Sequence, residues 1–259
     1  MKWITQPRSS VSGLATVTRG TGPILLLLHG VGLRAEAWGA QFDLPARIVA
    51  PDMPGHGESP WNHNKMALED YVLVALDVLK RLEAPAIVVG HSMGAMLALE
   101  LANRAPELVK AVVALNAIFE RSLPAQESVQ GRAAELDGKS IPDQTPTLER
   151  WFGIDASAER EACATWLIDV NPAAYKCAYT AFATSQLPDR DGLSRLSCPA
   201  VFITGSEEPN STPTMSEAMA CLAPKGRSII VDGAAHMMPM THPSEVNAAI
   251  LSLITEVSA

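Results

Sequence analysis

Ser92 stands at the centre of Gly90-His91-Ser92-Met93-Gly94, with a glycine two residues to either side. A serine hydroxyl is a weak nucleophile until a neighbouring base takes its proton; it can then attack a carbonyl carbon and form a covalent acyl intermediate. The two glycines leave room for backbone to approach closely on both sides of it. Such chemistry needs further parts: an imidazole as base, a carboxylate to orient it, and backbone N–H donors for the oxygen that gains charge. Six histidines, at 29, 56, 63, 91, 236 and 242, are available for the first role. An ordinary glycine-rich turn is the competing reading of the pentapeptide, and the surrounding elements decide between them.

Ala86-Ile87-Val88-Val89 is a short β-branched run of the kind that forms a strand buried on both faces. Ala95 to Leu101 is rich in good helix formers. Ser92 therefore falls on a strand-to-helix turn, where a strained backbone points the hydroxyl away from the sheet. Upstream, Val11 to Thr18 reads as opening strands, and Ile24 to Leu28 as a buried strand running into His29-Gly30-Val31-Gly32. Arg47 to Ala50 is the next strand and leads into Pro51-Asp52-Met53-Pro54-Gly55-His56-Gly57-Glu58-Ser59. Within 66–82, Leu68, Tyr71, Val72, Ala75, Leu76, Leu79 and Leu82 mark one face of an amphipathic helix.

Ala111 to Leu115 is another strand. From about Phe119 to Leu196 strand-like runs vanish, and helical stretches lie between breakers such as Ile141-Pro142 and Asn171-Pro172. Asn171 is placed to cap a helix with Pro172 at its first position. Strands resume at Pro199 to Ile203 and Arg227 to Val231, with Thr212-Pro213 opening a helix between them. Val246, Ala249, Ile250, Leu253 and Ile254 form the inner face of the last helix. This alternation predicts an α/β fold with a doubly wound, mostly parallel sheet. The core comprises 1–118 and 197–259, and 119–196 is an inserted helical cap.

A chain of 259 residues, 47% of them hydrophobic, suits one such domain with a large core. A net charge of −8 reads against nucleic-acid and anionic-membrane partners. Met1 to Pro7 lacks the apolar stretch of a secretory signal, and Ile24 to Leu28 is too short to span a bilayer. Cys163, Cys177, Cys198 and Cys221 are widely spaced, with no C-x-x-C pair and no histidine at ligand spacing. Buried free thiols are the expectation, with no metal site. A soluble cytoplasmic protein acting on a small molecule follows; its oligomeric state is not legible in the sequence.

Three features together resemble the α/β-hydrolase family. They are the Gly-His-Ser-Met-Gly elbow, the His29-Gly30 pair ending a buried strand upstream, and the stretch Asp52 to Ser59. The last is similar to a segment of that family's esterase, lactonase and dehalogenase branches. The resemblance covers about residues 20–118 and 198–258. It implies Ser92 as nucleophile and the N–H groups of Val31 and Met93 as oxyanion donors. It also implies His236 as base, because Gly233-Ala234-Ala235-His236 follows the last strand. The family's acid stands three residues after the glycine that ends the next-to-last strand. Gly205-Ser206-Glu207-Glu208 puts Glu208 there, a glutamate where aspartate is usual, with Glu207 as competitor.

Some family members carry the acid at the end of the strand after the elbow, a place held here by the uncharged Asn116. Asp52 and His56 read as structural, and His242 as a helix-opening residue. His29, Gly30, Trp151, Trp166 and Met237 are candidates for the substrate pocket. Trp151, Trp166, Phe152, Tyr175 and Phe182 either line an apolar pocket or pack the cap onto the core.

The resemblance implies a serine hydrolase that needs no cofactor and cleaves a small carboxylic ester, lactone or thioester through an acyl-enzyme. Carbon–carbon bond hydrolysis, cofactor-free perhydrolysis and acyl transfer to another acceptor remain open on the same residues. So does a ligand-sensing protein on a hydrolase scaffold. Haloalkane dehalogenase and epoxide hydrolase chemistry is disfavoured, since those relatives carry aspartate where Ser92 stands.

Overall fold

The computed structural model of the protein describes residues 3–258; Met1, Lys2 and Ala259 lie outside them. Eight strands are β1 (Ser9–Val11), β2 (Leu14–Arg19), β3 (Ile24–Leu28), β4 (Arg47–Pro51), β5 (Ala86–His91), β6 (Val109–Leu115), β7 (Ala200–Gly205) and β8 (Gly226–Val231). They form one sheet in the order β1-β2-β4-β3-β5-β6-β7-β8. Pairing is antiparallel at β1/β2 and β2/β4 and parallel from β4 to β8.

The central strands are apolar at nearly every position because both faces of the sheet are covered. Successive side chains alternate between the faces. Leu26, Leu28, Val88 and Phe202 pack with α1 (Leu68–Lys80) and α2 (Met93–Arg104) on one side. Leu25, Leu27, Val89 and Ile203 pack on the other side with Trp38 and with Ile250 and Leu253 of the last helix. The sheet is thus doubly wound. The amphipathic pattern within 66–82 forms the helix 68–80, and the elbow helix begins at Met93, two residues earlier than its composition suggested.

Five helices lie between β6 and β7: α3 (Leu123–Glu135), α4 (Thr145–Phe152), α5 (Ala158–Asp169), α6 (Pro172–Thr184) and α7 (Arg190–Arg195). No strand interrupts them among the described residues. Their starts are local chemistry. Ser122, Ser157, Asn171 and Asp189 each accept a hydrogen bond from the backbone N–H three residues on, satisfying a donor that the first helical turn leaves free. After β7 come α8 (Pro213–Leu222), the short α9 (Met238–Thr241) and α10 (Pro243–Ser258), with His242 at the junction of the last two.

All four cysteines are free. Cys163 and Cys198 are buried, but Cys177 is half-buried and Cys221 is exposed, against the expectation for both. Cys221 misses the core because the buried face of α8 is carried by Ser216 and Met219. Among the described residues, no helix is long and apolar enough to cross a membrane. Nor does any group of three His, Cys, Asp or Glu side chains there converge as a metal site would require.

Candidate active site

The elbow is a tight backbone crossing. A Cβ on Gly90 would run into the carbonyl of Gly94, and one on Gly94 would strike the carbonyl of Leu28. Side chains at either position would push β5, α2 and β3 apart. Ser92 itself has φ 56° and ψ −118°, a conformation that costs a non-glycine residue about 1–3 kcal/mol. The surrounding chain holds it there: the Ser92 N–H donates to the Leu115 carbonyl at 2.8 Å, and its carbonyl accepts from the Ala95 N–H at 3.0 Å.

His236 follows β8. Its Nδ1 lies 2.7 Å from Glu208 Oε2. An ionised carboxylate can only accept, so Nδ1 carries the proton and Nε2 is left as the basic nitrogen. Glu208 is buried, which by itself pushes its carboxyl up. The His236 imidazole, the Asn210 N–H at 2.8 Å and the Asn116 side-chain amide at 2.9 Å outweigh burial and hold it at about 2. Glu207 is exposed, and its backbone N–H bonds to the Ala234 carbonyl.

Asn116, at the end of β6, was legible only as a place where charge is absent. Its Nδ2 donates to Glu208 Oε2 and, at 3.3 Å, to the His236 carbonyl. His91 donates from Nε2 to the same carbonyl at 2.8 Å. Burial and the adjacent His236 hold His91 down to about 3, so it is a neutral strut.

Ser92 and His236 open onto a cavity of about 500 Å³. Gly30 and Val31 form part of the same wall, and a Cβ on Gly30 would come within 3.1 Å of the Ser92 Cβ. Among the described residues, the N–H groups of Val31 and Met93 have no protein acceptor. Met93 is moreover the first residue of α2, where unpaired N–H groups favour negative charge. Trp151, Tyr175, Tyr179 and Phe182 from the inserted helices also line it.

Three pocket candidates are not on this wall. His29 is fully buried, donating from Nδ1 to the Gly30 carbonyl and accepting the Met53 N–H at Nε2, both at 2.8 Å. With both ring nitrogens satisfied it supports the loop behind the cavity. Trp166 packs instead with Leu33, Leu167 and Met240, and Met237 is wholly buried in the same cluster. Both have the apolar character of a pocket residue but point into the packing between insert and core. Conversely, Arg121, Arg132 and Arg150 line the cavity. They sit on a loop and two different helices, so no sequence period links them.

A model of the α/β-hydrolase family matches residues 25–249, and the chain belongs to that family. It is a hydrolase by that membership and by its relatives. It is 38% identical over 239 residues, 90% of each chain, to the (E)-2-((N-methylformamido)methylene)succinate hydrolase of Acinetobacter baylyi. A thermophilic esterase from Thermogutta terrifontis shares the fold with a TM-score of 0.81 at 23% identity, covering 98% of both chains. The enol-lactonase of Burkholderia xenovorans does so at 0.78 and 21%, covering 96% of this chain and all of that one.

Proposed function

We propose that the protein is a serine hydrolase that cleaves a small carboxylic ester, lactone or thioester through an acyl-enzyme. The observation that carries this reading is the 2.7 Å contact from His236 Nδ1 to Glu208, beside a cavity shared with Ser92. It leaves the other imidazole nitrogen free to act as a base. Ser92 Oγ attacks the substrate carbonyl carbon and its proton passes to His236 Nε2. The Val31 and Met93 N–H groups receive the negative oxygen of the tetrahedral intermediate. On collapse the bond to the leaving group breaks, and that group takes the proton from His236. Water then repeats the sequence on the acyl-enzyme, releasing the acid and restoring Ser92. Glu208 holds the imidazole in the required tautomer throughout.

A second bond type is favoured by one observation. The relative that matches over 90% of both chains is named for a substrate carrying an amide. The same steps cleave an amide, with His236 protonating the departing nitrogen. Residues 119–196 act in this reading as a cap, a role supported by Trp151, Tyr175, Tyr179 and Phe182 lining the cavity shared with Ser92. The four free thiols fit a reducing, cytoplasmic setting.

Labelling with a fluorophosphonate, together with turnover of a panel of p-nitrophenyl esters, tests the reading. Ser92→Ala should abolish labelling and lower kcat by roughly 10⁴–10⁶-fold. Glu208→Gln should cost about 10²–10⁴-fold, while Glu207→Gln should leave kcat nearly unchanged. Label on another serine, or a large loss at 207 with little at 208, would overturn these assignments.

A further inference from the structure

Arg121, Arg132 and Arg150 line the cavity half-buried and, among the described residues, without a carboxylate partner. Arg121 donates from Nη2 to the Phe182 carbonyl at 3.2 Å and lies over the Phe182 ring, with Cζ 4.5 Å from its centroid. Arg132 donates from Nε to the Tyr179 hydroxyl at 3.0 Å and from Nη1 to Ser128 Oγ at 2.8 Å. Arg150 donates from Nη2 to Thr147 Oγ1 at 3.2 Å. These neutral acceptors orient the guanidinium forks without neutralising them. An arginine carries five N–H donors, so each keeps several for a ligand.

Several arginines elsewhere are paired with carboxylates. Arg8 bridges Glu36 and Asp52, Arg34 reaches Glu36, Arg104 pairs with Glu100 and Arg227 with Glu256. Glu120, the one acidic residue on the cavity wall among the described residues, is already held by Arg190 through two bonds of 2.6 and 2.8 Å. A chain with net charge −8 has thus gathered three uncompensated cations around one cavity. Arg121 and Arg132 line the same cavity, and burial, opposed by Tyr179 and reinforced by the Arg132 charge, pulls Arg121 down to about 10. An anion between them would relieve both costs.

We propose that the acyl substrate carries a free carboxylate, which Arg121 and Arg132 hold on the cap wall while its scissile carbonyl lies at Ser92. A carboxylate matches the planar guanidinium fork in shape and charge. Tyr175, Tyr179 and Phe182 then flank a short carbon chain joining the two ends, and Arg150 adds positive potential beside Trp151. The substrate class is therefore a carboxylate-bearing ester or amide rather than a neutral one. This rests on the reading of Ser92 as nucleophile.

The test compares mono-p-nitrophenyl succinate with p-nitrophenyl butyrate, which differ chiefly in the terminal charge. Wild type should favour the charged ester. Arg121→Gln and Arg132→Gln should each lower the charged-to-neutral ratio of kcat/KM by roughly 10- to 100-fold. Arg132→Lys should retain part of the preference, and the exposed, distant Arg81→Ala should leave it unchanged. Calorimetric titration of wild type with succinate and with neutral succinamide reads the same site without catalysis and without relying on the variants folding. Succinate should bind, more weakly as salt rises, and succinamide should not. Preference for the neutral ester together with no binding of succinate would overturn the carboxylate site and leave Ser92 untouched. Binding of succinate with no turnover of either ester would overturn the Ser92 reading instead, and leave the carboxylate site standing.

Discussion

Trp151 lies almost parallel to the His236 imidazole, with ring centroids 5.4 Å apart and planes 24° apart. It belongs to α4 of the insert, whereas His236 belongs to the core, so this contact joins the two. An aromatic face attracts a cation by about 0.5–2 kcal/mol. In the proposed mechanism His236 is a cation only while it holds the serine proton. Trp151→Leu should therefore lower kcat on a small acetate ester by roughly 3- to 30-fold. A change in KM with kcat intact would reduce Trp151 to a piece of cavity wall.

Ser92 is predicted to be a stability liability. Its φ of 56° suits glycine, and Ser92→Gly should raise the free energy of unfolding in urea by roughly 1 kcal/mol while removing activity. A variant less stable than wild type would show that the elbow stores no such strain.

Asn116 and His236 reach the same oxygen of Glu208. A carboxylate at 116 would therefore enter the same network. Glu208→Gln alone should be strongly impaired, and adding Asn116→Asp should recover at least about tenfold of the lost kcat. Asn116→Asp by itself puts two carboxylates in contact, so one of them should titrate well above the usual range. Absence of any recovery in the double variant would confine the orienting role to 208.

The pH dependence of stability follows from three buried histidines. Burial lowers His29 to about 4 and His56 and His91 to about 3. In the unfolded chain each takes up a proton near pH ~6.5. Between these values the unfolded state binds more protons than the folded one, so stability is lost as pH falls below about 6.5. Glu208, held at about 2 in the fold, adds a loss of the same sign below its unfolded value of about 4.3. Urea midpoints measured from pH 7.5 down to 4.5 should be level at first and then drop steeply. His56→Asn should lower the slope by up to about 1.4 kcal/mol per pH unit. A flat profile would mean that these imidazoles titrate normally.

The sheet was legible because burial on both faces writes uninterrupted apolar runs. Ile24 to Leu28 is buried at all five positions, and the elbow strand at all six. The elbow was legible because only glycine fits at 90 and 94. Counting from Gly205 singled out Glu208, the carboxylate that faces His236. What the sequence could not convey was direction. His29, Trp166 and Met237 have the right chemistry beside the right loops, yet their side chains turn into the packing. Arg121, Arg132 and Arg150 look like ordinary surface charges in sequence, and only the folding of α3, α4 and the preceding loop brings them to one cavity. Asn116 was visible as a missing charge, whereas its amide turned out to be a donor to the buried carboxylate.

That shared oxygen also bears on ancestry. The carboxylate at 208 follows β7, while the amide at 116 follows β6, and the amide and the His236 imidazole meet at one carboxylate oxygen. A lineage that gained an acid at either strand end would already have the other within reach. The orienting duty could therefore pass between strands through a descendant carrying both, a route that the Asn116→Asp and double variants retrace.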